Sequence, residues 1–436
     1  MAQTTGSLIE HVHLLALALY DTEVRGVRVD LDYLVKVGAG LKERIDSGHL
    51  RMRALVPNEL AKLEAELWLE RIEKAQAKLK TEAGKVKAAK RIKQEPLNWQ
   101  SGPQLQRLVY GELALPVQYK WDRKTRTRKA TLDDDAMEEL SFLHPVIEEI
   151  RSHRADQKTY GSFIVGTLER HRGGRIYPSF NVNGTVTGRI SSSNPNLQQL
   201  PREGGIRGIY VPEPGFKLIS CDYGMLEVVI AAHFSQDKNL LKIIHEGASK
   251  HDITAAALGI ERQKAKTVNF AMQYMCGPKK VEAILGCSKK DGEHAWNKYW
   301  EAYAGEKKVI EECKARVDAG LPIIGLYGRR RRFPNVFASD GERAAVYRQA
   351  YSSLIQGSGA DLVHQAFYTF AHHMESSGAG RAIFEVHDQL LSEARAEVAD
   401  QALEAMGRIM VETGQLVGLT VPLTVDPQGP MDRWED

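Results

Sequence analysis

The amino-acid sequence predicts an α+β protein, and three observations carry the prediction. Apolar positions recur at helical spacing in LIEHVHLLALALY (8–20) and again in ELAKLEAELWLERIEKAQAKL (59–79). Strand-like runs, FKLIS at 216–220 and AIFEVHDQLLSEA at 382–394, stand in the second half. The chain then closes with a helical pattern around 397–417 and a short strand, LTVPLTV. Helices at both ends with a few strands between them is the pattern of helices set beside an antiparallel sheet.

Each element has its own signal. Residues 7–95 read as long helices, broken at Arg25-Gly26-Val27, with Asp30 as the N-cap of the next helix. Gly and Pro punctuate 96–120, and a mixed stretch follows to about 165. From Ile176 to Pro214 the chain is turn-rich, with TGRISSSNPNLQQLP at its centre. FKLIS leads directly into Cys221-Asp222-Tyr223, helical patterns fill 225–320, and a strand–turn–strand signal spans 382–394. No internal repeat and no low-complexity linker interrupts this order.

Composition narrows the class. At 436 residues, with 26% charged and 43% hydrophobic positions, the chain is globular and long enough for two or three subdomains. Its mean hydropathy of −0.36 comes with no uncharged apolar run of membrane-spanning length, and the N-terminus lacks the basic opening of a secretion signal. Cys221, Cys276, Cys287 and Cys313 form no C-x-x-C pair, so the common zinc and redox spacings are missing and a reducing compartment is expected.

Charge is unevenly spread. Residues 71–130 hold 16 Lys/Arg against 5 Asp/Glu, a local excess of 11 in a chain whose net charge is +3, so the remainder is acidic. KVKAAKRIK (85–93) and RKTRTRK (123–129) suit a polyanion-binding surface, because neutralising phosphates releases counterions. A solvated basic loop suits the composition equally well.

Two acids stand at strand ends. Asp222 follows a β run, and Asp388 sits in the turn of a hairpin 166 residues later. Brought together, two such carboxylates can hold a pair of divalent cations that stabilise the attacking and leaving oxygens of phosphoryl transfer. Taken singly, each also suits a turn cap. Between them lies RQKAKTVNFAMQY (262–274), where steps of four residues put Arg262, Lys266, Phe270 and Tyr274 on one slowly winding helix stripe. Two cations and two rings on one surface fit a nucleoside triphosphate. An amphipathic helix with its rings turned to the core is the competing reading.

Taken in order, these segments resemble the polymerase portion of the family A DNA polymerases, the bacterial DNA polymerase I type, from about residue 15 to the C-terminus. LYDTEVRGVRVDLDYL, LNWQSGPQLQRLVYGELALPV and KATLDDDAMEEL resemble that family's thumb, and TGRISSSNPNLQQLP its template-primer motif. CDYGMLE is similar to motif A, RQKAKTVNFAMQY to motif B, QGSGAD to the helix that follows it, and EVHDQ to motif C. The resemblance implies a right-hand architecture with a thumb over 1–165, a palm over 166–235 and 381–436 on an antiparallel sheet, and fingers over 236–380.

Residue by residue, the resemblance makes Asp222 and Asp388 the ligands of two Mg²⁺, with Mn²⁺ as the alternative, and the Tyr223 backbone carbonyl a further ligand. Glu227 matches the steric gate against ribose. Arg262, Lys266, Phe270 and Tyr274 match the nucleotide-binding stripe, and Lys266 would act as acid for departing pyrophosphate. Phenylalanine at 270 implies discrimination against dideoxynucleotides. His251 matches a contact to the nucleotide phosphates. Arg189 and Gln356 match readers of the minor groove, whose acceptors are common to all base pairs. His387 and Arg348 match contacts to the primer terminus and the template-primer.

Four positions depart from the family pattern. Gln389 stands for the usual Glu, Val229 for Arg, Met275 for a glycine and Ser352 for Asn. The expected partners are a DNA primer-template and deoxynucleoside triphosphates, with no membrane, for a monomer in the cytoplasm of a bacterium or phage-infected cell. With only about 15 residues before the match, neither a 3′–5′ exonuclease nor a 5′-nuclease domain is expected in this chain. A phage-type RNA polymerase and an inactive DNA-binding relative are the competing classes, opposed by Glu227 and by the intact acid pair.

Overall fold

The computed structural model describes residues 8–122, 125, 127–273, 275–337 and 339–435. It separates into two compact units, residues 32–169 and residues 1–31 with 170–436. The borders differ from the expected subdomain limits. Helix α1 (Leu8–Arg25) shares a unit with the central sheet, because Leu15 and Leu19, each 1% exposed, join that unit's core.

The first unit is mainly helical. α2 (Leu31–Leu55), α3 (Pro57–Gln76), α4 (Glu82–Arg91), α5 (Asp134–Ser141) and α6 (Pro145–Thr159) surround a core that includes Met52, Leu60, Leu63, Leu140 and Ile147. A hairpin of β1 (Tyr119–Asp122) and β2 (Thr127–Ala130) lies within the basic stretch. Part of that positive charge is matched locally, Arg107 by Glu66 and Glu70 and Lys120 by Asp133. Helix α4 buries no residue, and Lys87, Lys90, Arg91 and Lys93 are exposed. A helix without an apolar face has little packing to stabilise it, so it serves as a charged surface.

The second unit is built on a four-stranded antiparallel sheet. Its strands are β3 (Phe216–Gly224), β4 (Gly380–Val386), β5 (Gln389–Arg395) and β6 (Thr424–Met431), in the order β4-β5-β3-β6. Asp222 lies opposite Gln389 on one side and Asp426 on the other. β4 and β5 join through the two residues His387 and Asp388, and His387 has φ of 60°. A positive φ at the first position of a two-residue connection matches strand twist, but in a residue with a Cβ it stores about 1 kcal/mol of strain.

Helices fill the rest of this unit: α7 (Leu226–Ser235), α8 (Lys238–Glu246), α9 (Lys250–Leu258), α10 (Arg262–Gln273), α11 (Pro278–Leu285), α12 (Lys289–Ala302), α13 (Ala304–Asp318), α14 (Asp340–Ser377) and α15 (Ala399–Leu416). The 38-residue α14 starts on Ser339, whose hydroxyl accepts from Glu342 N, and stops at Gly378 with φ of 65°. Its Gln-Gly-Ser-Gly segment permits close packing. A Cβ on Gly357 would lie 3.1 Å from the Thr187 carbonyl, and one on Gly359 would lie 3.2 Å from Ile230. Trp434 is fully buried among Tyr210, Phe384 and the guanidinium of Arg207, 4.6 Å from its ring. No helix among the described residues is long and apolar enough to cross a membrane.

Candidate active site

β3 alternates, and its side chains divide between two environments. Cys221 and Tyr223 enter the core, where the Tyr223 hydroxyl donates to the Met410 carbonyl over 2.8 Å, so Asp222 faces the other way. The Tyr223 amide donates to the Asp388 carbonyl over 3.0 Å, which fastens the hairpin turn to the strand end and brings the two acids together. Asp222 is consequently pushed up to about 6, by burial first and then by the neighbouring Asp388 carboxyl. Its Oδ1 is buried without a hydrogen-bond partner, while its Oδ2 accepts from Arg202 at 3.1 Å.

Asp426 is a carboxylate that sequence reasoning missed. It lies directly across from Asp222 and is exposed. Cross-strand pairing at a separation of 204 positions leaves no local signal. Gln389, the neighbour on the other side, is 2% exposed; its Oε1 accepts from Arg207 at 3.1 Å, and its amide lies 3.5 Å from the Ser220 hydroxyl. The departure from Glu therefore leaves a satisfied neutral amide beside the acid pair. His387 in the turn is pushed below its usual value by burial and by Arg189, Arg207 and Arg202, against the pull of Asp222.

The stripe on α10 faces outward. Ala265, Val268, Asn269 and Met272 are buried on one side, and Phe270 is 65% exposed on the other, which rejects the core-facing reading for that ring. Arg262, also exposed, is held by Asp252 at 2.9 Å, and Tyr274 lies outside the described residues. Met275 has φ of 51°, so the residue standing for the family's glycine occupies the left-handed conformation that glycine adopts without strain.

An open cleft of about 800 Å³ gathers Glu227, His251, Lys266, Phe270, Arg348 and Gln356. Met275 and Ser352 line it too. A smaller pocket, of about 220 Å³, is lined by Arg189, Glu227, Gln356, His387 and Asp388, so Glu227 and Gln356 border both. Glu227 is fixed from two sides, by Arg189 at 3.1 Å and by the Gln273 amide at 2.8 Å. Gln273 was not singled out by the sequence, because it lies between stripe positions. His251 is oriented by Asn269 at 3.0 Å, and burial with Arg262 and Lys266 nearby pushes it below its usual value. Val229, 1% exposed, is part of the core, which explains an apolar residue there.

The site thus sets paired acids on an antiparallel sheet and a cationic and aromatic helix face at two adjoining pockets that share Glu227 and Gln356, on a right-hand polymerase fold. A solved structure of the same fold is the POL domain of Pol1 from M. smegmatis in complex with DNA primer-template and dNTP. It superposes with a TM-score of 0.78 at 23% identity, over 97% of this chain and 69% of that one.

The profile of DNA polymerase family A matches residues 69–436, and the chain belongs to that family. It is 31% identical over 405 residues to the thermostable DNA polymerase I of Thermus aquaticus, covering 88% of this chain and 45% of that protein. DNA polymerase I of Chloroflexus aurantiacus is 29% identical over 435 residues, 96% of this chain and 42% of the relative. The chain spans less than half the length of these curated relatives.

Proposed function

We propose that this chain is a template-directed DNA polymerase that adds deoxynucleoside triphosphates to a primer 3′-hydroxyl. The observation that carries the reading is Asp222, held beside Asp388 at the sheet end with one oxygen buried and unpartnered. An all-oxygen donor set of two carboxylates and the Tyr223 carbonyl fits hard divalent cations such as Mg²⁺ or Mn²⁺. When bound there, two such ions would supply charge neutralisation for the attacking and leaving oxygens. Arg202, its side chain 62% exposed, partly balances the acids and can swing away when they take another partner.

The cleft residues supply binding, orientation and a proton. Lys266 and Arg262 offer positive charge to the triphosphate, Lys266 can hold a proton for the leaving oxygen, and the exposed Phe270 ring offers a stacking face to the base. His251 has a fixed ring for a phosphate contact. Glu227, pinned by Arg189 and Gln273, fills space a ribose 2′-hydroxyl would need. Gln356, Arg189 and His387 border the pocket beside Asp388 and suit sequence-independent contacts to the primer end, with Arg348 on template-primer at the larger cleft.

In the right-hand scheme we assign the four-stranded sheet to the palm (166–235 and 381–436), residues 236–380 to the fingers, and the thumb to 1–165 less α1. The exposed lysines and arginine of α4 then suit duplex phosphates. The reaction assigned to these residues is extension only, with no role given to any of them in 3′-end excision. Extension of a labelled primer on a DNA template, with dNTPs or rNTPs and Mg²⁺, tests the reading. Extension with dNTPs alone, lost in Asp222→Ala and Asp388→Ala, is expected; equal use of rNTPs would remove the gate, and binding without extension would remove the activity.

A further inference from the structure

Away from the acid pair, His11 on α1 meets Asp361 and His364 on α14 in the core of the same unit, all three at most 4% exposed. One ligand atom from each lies within 4.8 Å of the other two. The His11 Nδ1 is 3.3 Å from the Tyr368 hydroxyl, which leaves Nε2 facing Asp361 Oδ1 at 3.5 Å without a hydrogen-bond partner. Both His364 ring nitrogens lack a hydrogen-bond partner, although Nε2 lies 3.0 Å from Glu385 Oε1. Glu385 itself, 3% exposed on β4, keeps Oε2 unpartnered. Asp361 also accepts from Arg329, through Nη2 at 2.5 Å and Nε at 3.0 and 3.1 Å.

We propose that His11, Asp361 and His364 form a binding site for one divalent transition-metal ion of the zinc class, with Glu385 orienting His364. Two imidazoles and a carboxylate suit borderline-soft ions rather than Mg²⁺. Asp361 and His364 stand at i and i+3 on one helix, the spacing by which helical bundles present a carboxylate and an imidazole to one ion. Each histidine has a polar neighbour at one nitrogen, a hydrogen-bonded Tyr368 hydroxyl for His11 and, at ion-pair distance, the Glu385 carboxylate for His364, the kind of neighbour that orients a ligand ring.

Ligands of a tetrahedral zinc lie roughly 3.4 Å apart. The His11–Asp361 pair already has that spacing, and His364 lies within 4.8 Å of both. Charge points the same way. The cluster holds two buried carboxylates, Asp361 paired with the Arg329 guanidinium and Glu385 beside His364, and a dication takes several unpartnered atoms at once, whereas a single proton on one imidazole satisfies one. The bound ion would staple α1 to α14, joining His11 to His364 across 353 positions of sequence.

The test uses the full chain carrying Asp222→Asn and Asp388→Asn, so that the acid pair contributes no metal. After EDTA and dialysis against Zn²⁺, elemental analysis should find one zinc per chain, and the melting temperature should rise with zinc. Both effects should vanish in His11→Gln and in His364→Gln. X-ray absorption on zinc-loaded chain without the histidine changes should report two imidazole ligands, a readout that survives misfolding of either variant. Zinc that fails to bind, that binds undiminished in both folded variants, or that shows only oxygen ligands would overturn the proposal. So would NMR showing a protonated imidazole in this cluster after zinc dialysis.

Discussion

Two acidic clusters lie in the same unit, and they resolve the same electrostatic problem in opposite ways. Asp222 and Asp388 sit together at the rim of a cleft, and burial and the neighbouring carboxyl outweigh the exposed Arg202, so Asp222 is pushed up to about 6. Asp361 is fully buried, yet His11 and Arg329 outweigh the cost of burial and hold it below the usual carboxylate range. The rim pair keeps its charge unsatisfied and available for a ligand. The sealed aspartate already has Arg329 and His11 beside it inside the fold, and the ion proposed above would add to those partners. An acid left open at a cleft and an acid sealed in the core are thus used differently, and substitutions at the two places should part company.

The sharpest separation comes from removing the rim acids. Asp222→Ala or Asp388→Ala should lower single-turnover primer extension on the order of 10³-fold or more, while the melting temperature holds or rises because a repulsive contact has gone. A matching fall in melting temperature would erase the distinction. The sealed cluster should behave in reverse. Asp361→Asn leaves the part-buried Arg329 without its charge partner and should cost about 3 kcal/mol in urea unfolding. Next in size is Lys266→Ala, which should slow chemistry about 10²-fold in rapid-quench experiments without disturbing the fold.

Titration separates the two more finely. Asp222 binds its proton more tightly folded than unfolded, so its contribution to stability is full below about pH 4 and is lost as pH rises through about 6. Without divalent cations, the stability difference between the parent and Asp222→Asn should therefore shift by about 3 kcal/mol across that window, in favour of Asn at pH 7. Denaturant titrations at stepped pH measure it. The smallest effect is expected at Asp426→Asn, a few-fold loss of extension, because that carboxylate is in register with Asp222 but exposed.

The rim site was largely legible in the sequence because its chemistry is packed into short segments. Asp222 ends a strand, Asp388 fills a hairpin turn, and the α10 stripe follows helical spacing, so local rules place each one. What escaped was held by long-range pairing. Arg202, Gln273 and Asp426 become neighbours of the acids or of Glu227 only through the folded loop, helix and strand. The sealed cluster was illegible for the same reason, since His11 and His364 are 353 positions apart and each is an ordinary helix residue by pattern. The 38-residue span of α14 also exceeded its sequence signal, because its buried centre is small and polar rather than periodic. The unit border at residue 32 reflects packing of Leu15 and Leu19 that no composition shift announces.

The buried Trp434 has a consequence for synthesis on the ribosome. The unit of residues 32–169 is continuous in sequence and can close while the rest of the chain is still being made. The sheet cannot, because β3 waits about 200 residues for β6, and the Arg207 guanidinium and Tyr210 ring wait longer still for Trp434. Over the 200 residues from Gly224 to Thr424 the edge of β3 stands open with Asp222 already present, and Asp388 joins it only 36 residues before β6 begins. The strand that bears Asp222 thus gains its last neighbour only as this stretch of chain leaves the exit tunnel, and nascent-chain stalling before residue 424 should yield a protected helical unit beside an unprotected sheet.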